Sequence, residues 1–108
     1  MDSFIDDKKE KNLAKLREIR RIRELNDIRK VLSSPEGRRF YWRVMARAGA
    51  FHSSYTGDNN ATNFNCGRQD IGYFLLDELL EAEPTTLAQM QREAKSKATR
   101  EETEDNKE

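Results

Sequence analysis

Between Leu13 and Val31 apolar residues return at every third position. Leu13, Leu16, Ile19, Ile22, Leu25, Ile28 and Val31 each open a triplet filled mostly with polar or charged residues. No Gly or Pro interrupts this run, so the pattern predicts an α-helix. A 3₁₀-helix would share the period but is rarely so long. In an α-helix each three-residue step falls about 60° short of a full turn, so the apolar row winds round the helix. No flat surface on one side covers all seven positions. Either several neighbours surround this helix, or its two ends face different partners, or only Leu25, Ile28, Val31 and Leu32 pack on a domain while the earlier part frays.

Ser33-Ser34-Pro35-Glu36 then marks a new helix start. Ser34 can cap with Pro35 at the first helical position, or Ser33 can form a capping box with Glu36. This second helix is expected to run to about Ala48, with Gly49 as its stop. Phe40, Tyr41, Val44, Met45 and Ala48 share one face, and Gly37 permits close approach of a neighbour. Arg39, Arg43 and Arg47 repeat every fourth residue on the far side. Trp42 lies off the apolar face, between Arg38 and Arg39. It is either covered by the loop or the first helix, or part of an exposed Trp–Arg patch of the kind enriched at binding hot spots.

Residues 49–63 are rich in Ser, Thr, Gly, Asp and Asn and read as a long loop, with Phe51 and Tyr55 expected to pin it to the core. A third helix should start near Thr62 or Asn63 and end at about Ala82, before Pro84. Phe64, Ile71, Leu75, Leu79 and Ala82 define its expected buried stripe. Phe74, Leu76 and Leu80 widen that stripe, as in a central helix touched on several sides. Gly67 and Gly72 suggest close backbone packing, and Arg68 and Asp70 are placed to pair with charges on the second helix. Thr85 or Thr86 can cap a short fourth helix with Leu87, Met90 and Ala94 inward. Beyond Lys95 only Ala98 is apolar, so 99–108 reads as a disordered acidic tail. The expected architecture is all-α: a charged N-terminal helix over 1–32, a core domain of about three helices over 33–98, and a flexible tail.

Composition narrows the function classes. Eight of the nine aromatic residues fall between Phe40 and Phe74, which places the core. With 35% apolar and 37% charged residues and a mean hydropathy of −1.01, that core is thin. No run approaches the ~20 apolar residues of a membrane span, and no signal-peptide hydrophobic region is expected. Net charge is zero, but 1–57 carries +6 and 58–108 carries −6, a division that suits head-to-tail attraction between copies or docking on a mixed surface. The alternative reading of such charge runs is solvated helix faces.

Candidate chemistry is sparse. Cys66 is the lone cysteine and His52 the lone histidine, which favours neither a disulfide nor a nucleophile–base pair. Asp58-Asn59-Asn60 lacks the Gly and closing Glu of a calcium loop. The carboxylates Asp77, Glu78, Glu81 and Glu83 read as an acidic helix face rather than an acid–base site. Asn60-Ala61-Thr62 matches a glycosylation acceptor without a secretory context. No catalytic residue, metal or cofactor is expected.

Val31-Leu32-Ser33-Ser34-Pro35-Glu36-Gly37-Arg38-Arg39-Phe40 with Trp42-Arg43 resembles the opening of the Bbp-nineteen-like domain, named for a Bordetella phage protein. Phe64-Asn65-Cys66-Gly67-Arg68, Ile71-Gly72, Leu75-Leu76 and Glu81-Ala82-Glu83-Pro84 are similar to its second half. The resemblance covers about 28–94, with Cys66 and Asp70 departing from the usual pattern. It implies a tailed-bacteriophage protein encoded among head and portal genes, found in the virion or the infected host cytoplasm. It implies no activity or catalytic residues.

The reading that results is a non-enzymatic phage structural or assembly protein, docking on larger virion proteins, with the portal region as one candidate location, and forming homo-oligomers. Its expected contact residues are Leu13, Leu16, Ile19 and Ile22 on the first helix and Arg38, Arg39, Trp42 and Arg43 on the second. The alternatives are a small phage inhibitor of a host enzyme or defence system and a nucleic-acid-binding accessory protein. The 14 Lys/Arg in 8–47 favour the last. Interleaved acids and a pI near 6.6 oppose it.

Overall fold

A computed structural model describes residues 2–53 and 55–105. Helix α1 spans Asp2–Leu32, α2 Pro35–Arg47, α3 Asn59–Ala82 and α4 Thr86–Asp105. The four helices form a flat, elongated body of 79 × 39 × 16 Å, with α3 in contact with each of the others. The all-α expectation holds over the described residues. The tail does not follow its expectation: α4 continues as helix through Asp105, and 106–108 lie outside the described residues. Most residues of that last stretch are good helix formers.

The N-terminus of α2 forms as its sequence dictates. Ser34 is extended, its hydroxyl accepts from the Gly37 N–H at 3.0 Å, and Pro35 occupies the first helical position. Gly37 lies where a Cβ would stand 1.8 Å from the Val31 carbonyl oxygen, so only glycine lets α2 begin so close to the end of α1. At the other end Gly49 takes φ +82° and turns the chain out of the helix. The α3 start lies earlier than expected, because Asp58 caps it by accepting from the Asn60 N–H at 3.1 Å. The loop is correspondingly shorter.

The core is Leu32, Tyr41, Met45, Leu79 and Met90, one or two from each helix, with Ile28, Trp42, Ala50, Leu75, Leu76 and Leu87 packed around it. Met45, Leu79 and Met90 are essentially sealed from solvent. Each such side chain contributes about 1.5–3 kcal/mol by leaving water. Tyr41 donates its hydroxyl to the Leu75 carbonyl of α3, and burial beside Glu78 pushes its ionisation up to about 12.

Several packing expectations are corrected. Helical periodicity assigns Phe40 to the buried face of α2, and Phe64 and Ile71, with Phe74 and Leu80 widening the stripe, to that of α3; all five are exposed. The reason lies in where α2 meets α3. Gly72 sits against Ala48 and Ala50, and a methyl on its Cα would stand only 3.1 Å from the Cβ of each. The backbones therefore approach on the Gln69–Gly72 side and rotate Phe64 and Ile71 outward. Gly67, by contrast, has nothing within 4 Å of its missing side chain and serves no internal packing. In the loop Phe51 stacks on Trp42, with ring centroids 4.8 Å apart, but Tyr55 is 78% exposed and pins nothing. Buried Gln69 holds the loop instead, donating to the carbonyls of Gly49 and His52.

Candidate functional site

The winding row on α1 divides between two environments. Leu25 and Ile28 are half-buried against the core and Leu32 is buried, whereas Leu13, Leu16, Ile19 and Ile22 are each 50–57% exposed. Measured round the helix from Leu25, Ile28 and Leu32 fall within about 60°, while Leu16 lies roughly 180° away and Leu13 and Ile19 about 120° to either side. The row therefore leaves the chain's own core and passes to the opposite side of the same helix. The sequence pattern groups Val31 with Leu25 and Ile28, but Val31 is exposed as well.

Polar contacts lock the C-terminal half of α1 in place. Arg21 bridges to Glu78 at 2.7 Å and to Glu81, both on α3. Those hydrogen bonds hold the guanidinium above its ordinary ionisation range and Glu81 below the usual carboxylate range. Arg29 donates to the Ala82 carbonyl at 2.6 Å, satisfying an orphan acceptor at the end of α3. With this end fixed, the exposed half of α1 is presented in a defined direction.

The four residues singled out on α2 all line one open cleft between α2 and α4, but they differ in exposure and partners. Arg38 is structural: it donates to Glu93 of α4 at 3.0 Å and to the Leu32 carbonyl at 2.9 Å, with only 11% of its side chain exposed. It joins α2 to α1 and α4. Trp42 is half-buried: the loop residue Phe51 stacks on it, and it lines the same cleft as the three arginines. Arg39 is exposed, with Glu36 one turn away at 4.0 Å. Arg43 is exposed and lies over the Phe40 ring, 5.5 Å from its centroid.

Arg43 also belongs to a second surface, one that sequence reasoning missed. Phe40, Val44, Ala48 and Ile71 line a shallow apolar groove of about 440 Å³ between α2 and α3, rimmed by Arg43, Arg47 and Arg68. The signal was present as Phe40 and Ile71, but helical periodicity alone assigns both to the core. Arg68 does not pair with charge on α2 as expected. It bonds Asn65 at 3.2 Å and lies over the Phe64 ring. The larger, open cleft between α2 and α4, bounded by Trp42, Met90, Glu93 and Lys97, has mixed polar and apolar walls. Among the described residues no set of His, Cys, Asp and Glu side chains is grouped to hold a metal ion, and no helix is long and apolar enough to cross a membrane. The groove and cleft are shallow and open, a shape that suits contact with other macromolecules better than enclosure of a small substrate.

Compared with known proteins, no curated protein and no solved structure matches the chain. The family model described as Bbp19-like phage protein matches residues 28–92, from the docked end of α1 into α4. That span takes in Arg38, Tyr41, Met45, Gln69, Gly72, Leu79 and Met90, the residues that build the core and its polar ties. The exposed row Leu13–Ile22 lies outside it. By that match over more than half its length, the chain belongs to the Bbp19-like phage protein family.

Proposed function

We propose that this bacteriophage protein is a structural or assembly component that works by docking on larger phage proteins, the portal region being one candidate, and not by catalysis. One observation carries the reading. Leu13, Leu16, Ile19 and Ile22 lie exposed on a helix whose other end is fixed to the domain, and the row they form winds away from the core. Burying such side chains is worth about 1.5–3 kcal/mol each, so a partner covering even part of the row gains substantially. The exposed basic residues Arg39 and Arg43 supply a second, polar contact on the domain itself.

Mass spectrometry of purified particles and assembly intermediates tests this reading. The expected result is peptides of this chain in one or both. Absence from both, with recovery of a host enzyme or defence protein in a pull-down during infection, would replace it with the inhibitor reading. Salt-sensitive retention on DNA, lost when Arg39 and Arg43 are replaced together, would favour the nucleic-acid reading.

A further inference from the structure

The outer side of α3 carries a surface complementary to the arginine-rimmed groove. Asp70, Tyr73, Phe74, Asp77 and Leu80 are all exposed, and their spacing of three and four residues places them along one stripe. Aromatic and aliphatic groups sit between carboxylates, as Phe40, Val44 and Ile71 sit between guanidinium groups in the groove. Among the described residues, Arg43, Arg47 and Arg68 make no ion pair with an acidic side chain, and neither do Asp70 and Asp77 with a basic one. The two surfaces are therefore apolar, oppositely charged and unneutralised within the chain. They cannot meet within one molecule: Asp77 lies nine residues beyond Arg68, roughly 180° round the same helix.

We propose that copies of this chain associate head to tail, the acidic–aromatic stripe of α3 on one copy seating in the arginine-rimmed α2–α3 groove of the next. A two-fold contact of groove on groove would set Arg43, Arg47 and Arg68 against the same three residues, which like-charge repulsion disfavours. Stripe-in-groove contact brings unlike charges together over apolar centres. It is heterologous, so every added copy offers a fresh groove and a fresh stripe, and the assembly closes into a ring or grows as a filament. The division of the chain into a +6 half and a −6 half acts in the same sense at longer range. This inference rests on the reading of a chain that works through protein contacts and deepens it by supplying one partner, a second copy.

The test is solution mass of the full chain by sedimentation and light scattering over a wide range of concentration. The 12.6 kDa chain is expected to at least double its apparent mass as concentration rises, less so at high salt. Arg43→Glu with Arg47→Glu, and separately Asp70→Lys with Asp77→Lys, should each remain monomeric while keeping the wild-type circular dichroism spectrum. An equimolar mixture of the two variants should associate again, since each reversed surface meets its complement. A wild-type chain that stays at 12.6 kDa, an Asp70/Asp77 variant that associates normally, or a mixture that stays monomeric overturns the proposal. Because the purified chain alone is measured, failure here is distinguishable from absence in phage particles, which tests the broader function.

Discussion

Two glycines in this chain should respond oppositely to the same substitution. Replacing Gly37 by Ala puts a methyl 1.8 Å from the Val31 carbonyl oxygen and 2.8 Å from its carbon, both backbone atoms at the end of α1. Ordinary contact begins near 3.4 Å, so α1 and α2 must separate by more than a side-chain adjustment can supply. Overpacking of this kind costs about 1–3 kcal/mol or more, and the gain in helix propensity returns only about 0.5–1 kcal/mol. Gly67 has open space around it, so Gly67→Ala keeps that gain without a clash. For a domain of this size 1 kcal/mol moves Tm by about 4–8 °C. Thermal and urea unfolding followed by circular dichroism should therefore show Gly37→Ala melting at least several degrees lower and Gly67→Ala a few degrees higher. A neutral Gly37→Ala, or a destabilising Gly67→Ala, would refute the close α1–α2 corner and the open face of α3.

Four further substitutions separate structural from surface residues. Gln69→Ala removes both ties from α3 to the loop and should cost about 1–3 kcal/mol, with faster hydrogen exchange at 49–53 and a change in Trp42 fluorescence as Phe51 loosens. Arg38→Ala should lose about 1.5–3 kcal/mol with its contacts to Glu93 and Leu32, whereas Arg39→Ala stays within about 0.5 kcal/mol by urea titration. For Tyr41 the folded state favours the neutral phenol, so its contribution is intact below the ordinary value near 10 and declines as pH rises from there to about 12. Tyr41→Phe should remove that part of the alkaline loss, and identical alkaline profiles for the two proteins would contradict the assignment.

Local chemistry is the most legible part of this chain. Ser34, Pro35 and Gly49 announce the limits of α2, and the threefold spacing announces a helix whose apolar row cannot face one way. Periodicity does not say which arc of a broad stripe is covered. That choice is made at Gly72, where Ala48 and Ala50 approach and leave Phe64 and Ile71 outside. For the same reason Phe40 reads as core although it lines a surface groove. Arg38 and Gln69 are opaque because their partners lie 55 residues away in the case of Glu93 and 17–20 in the loop. A polar side chain that closes a long-range contact looks, in sequence, like any solvated one. The acidic end reads as disordered from its composition, yet its residues are mostly helix formers and extend α4 to Asp105.

We propose above that the outer half of α1 is a contact surface for phage structural proteins. A photo-crosslinking amino acid placed at Leu16 during infection measures this most directly, because Leu16 faces opposite the docked side of the helix. The expected result is a covalent adduct with a phage structural protein in particles or assembly intermediates, and none from the same probe at Arg29, which bonds the end of α3. Adducts from Leu16 solely to host proteins, or none from Leu16 at any stage of infection, would contradict it.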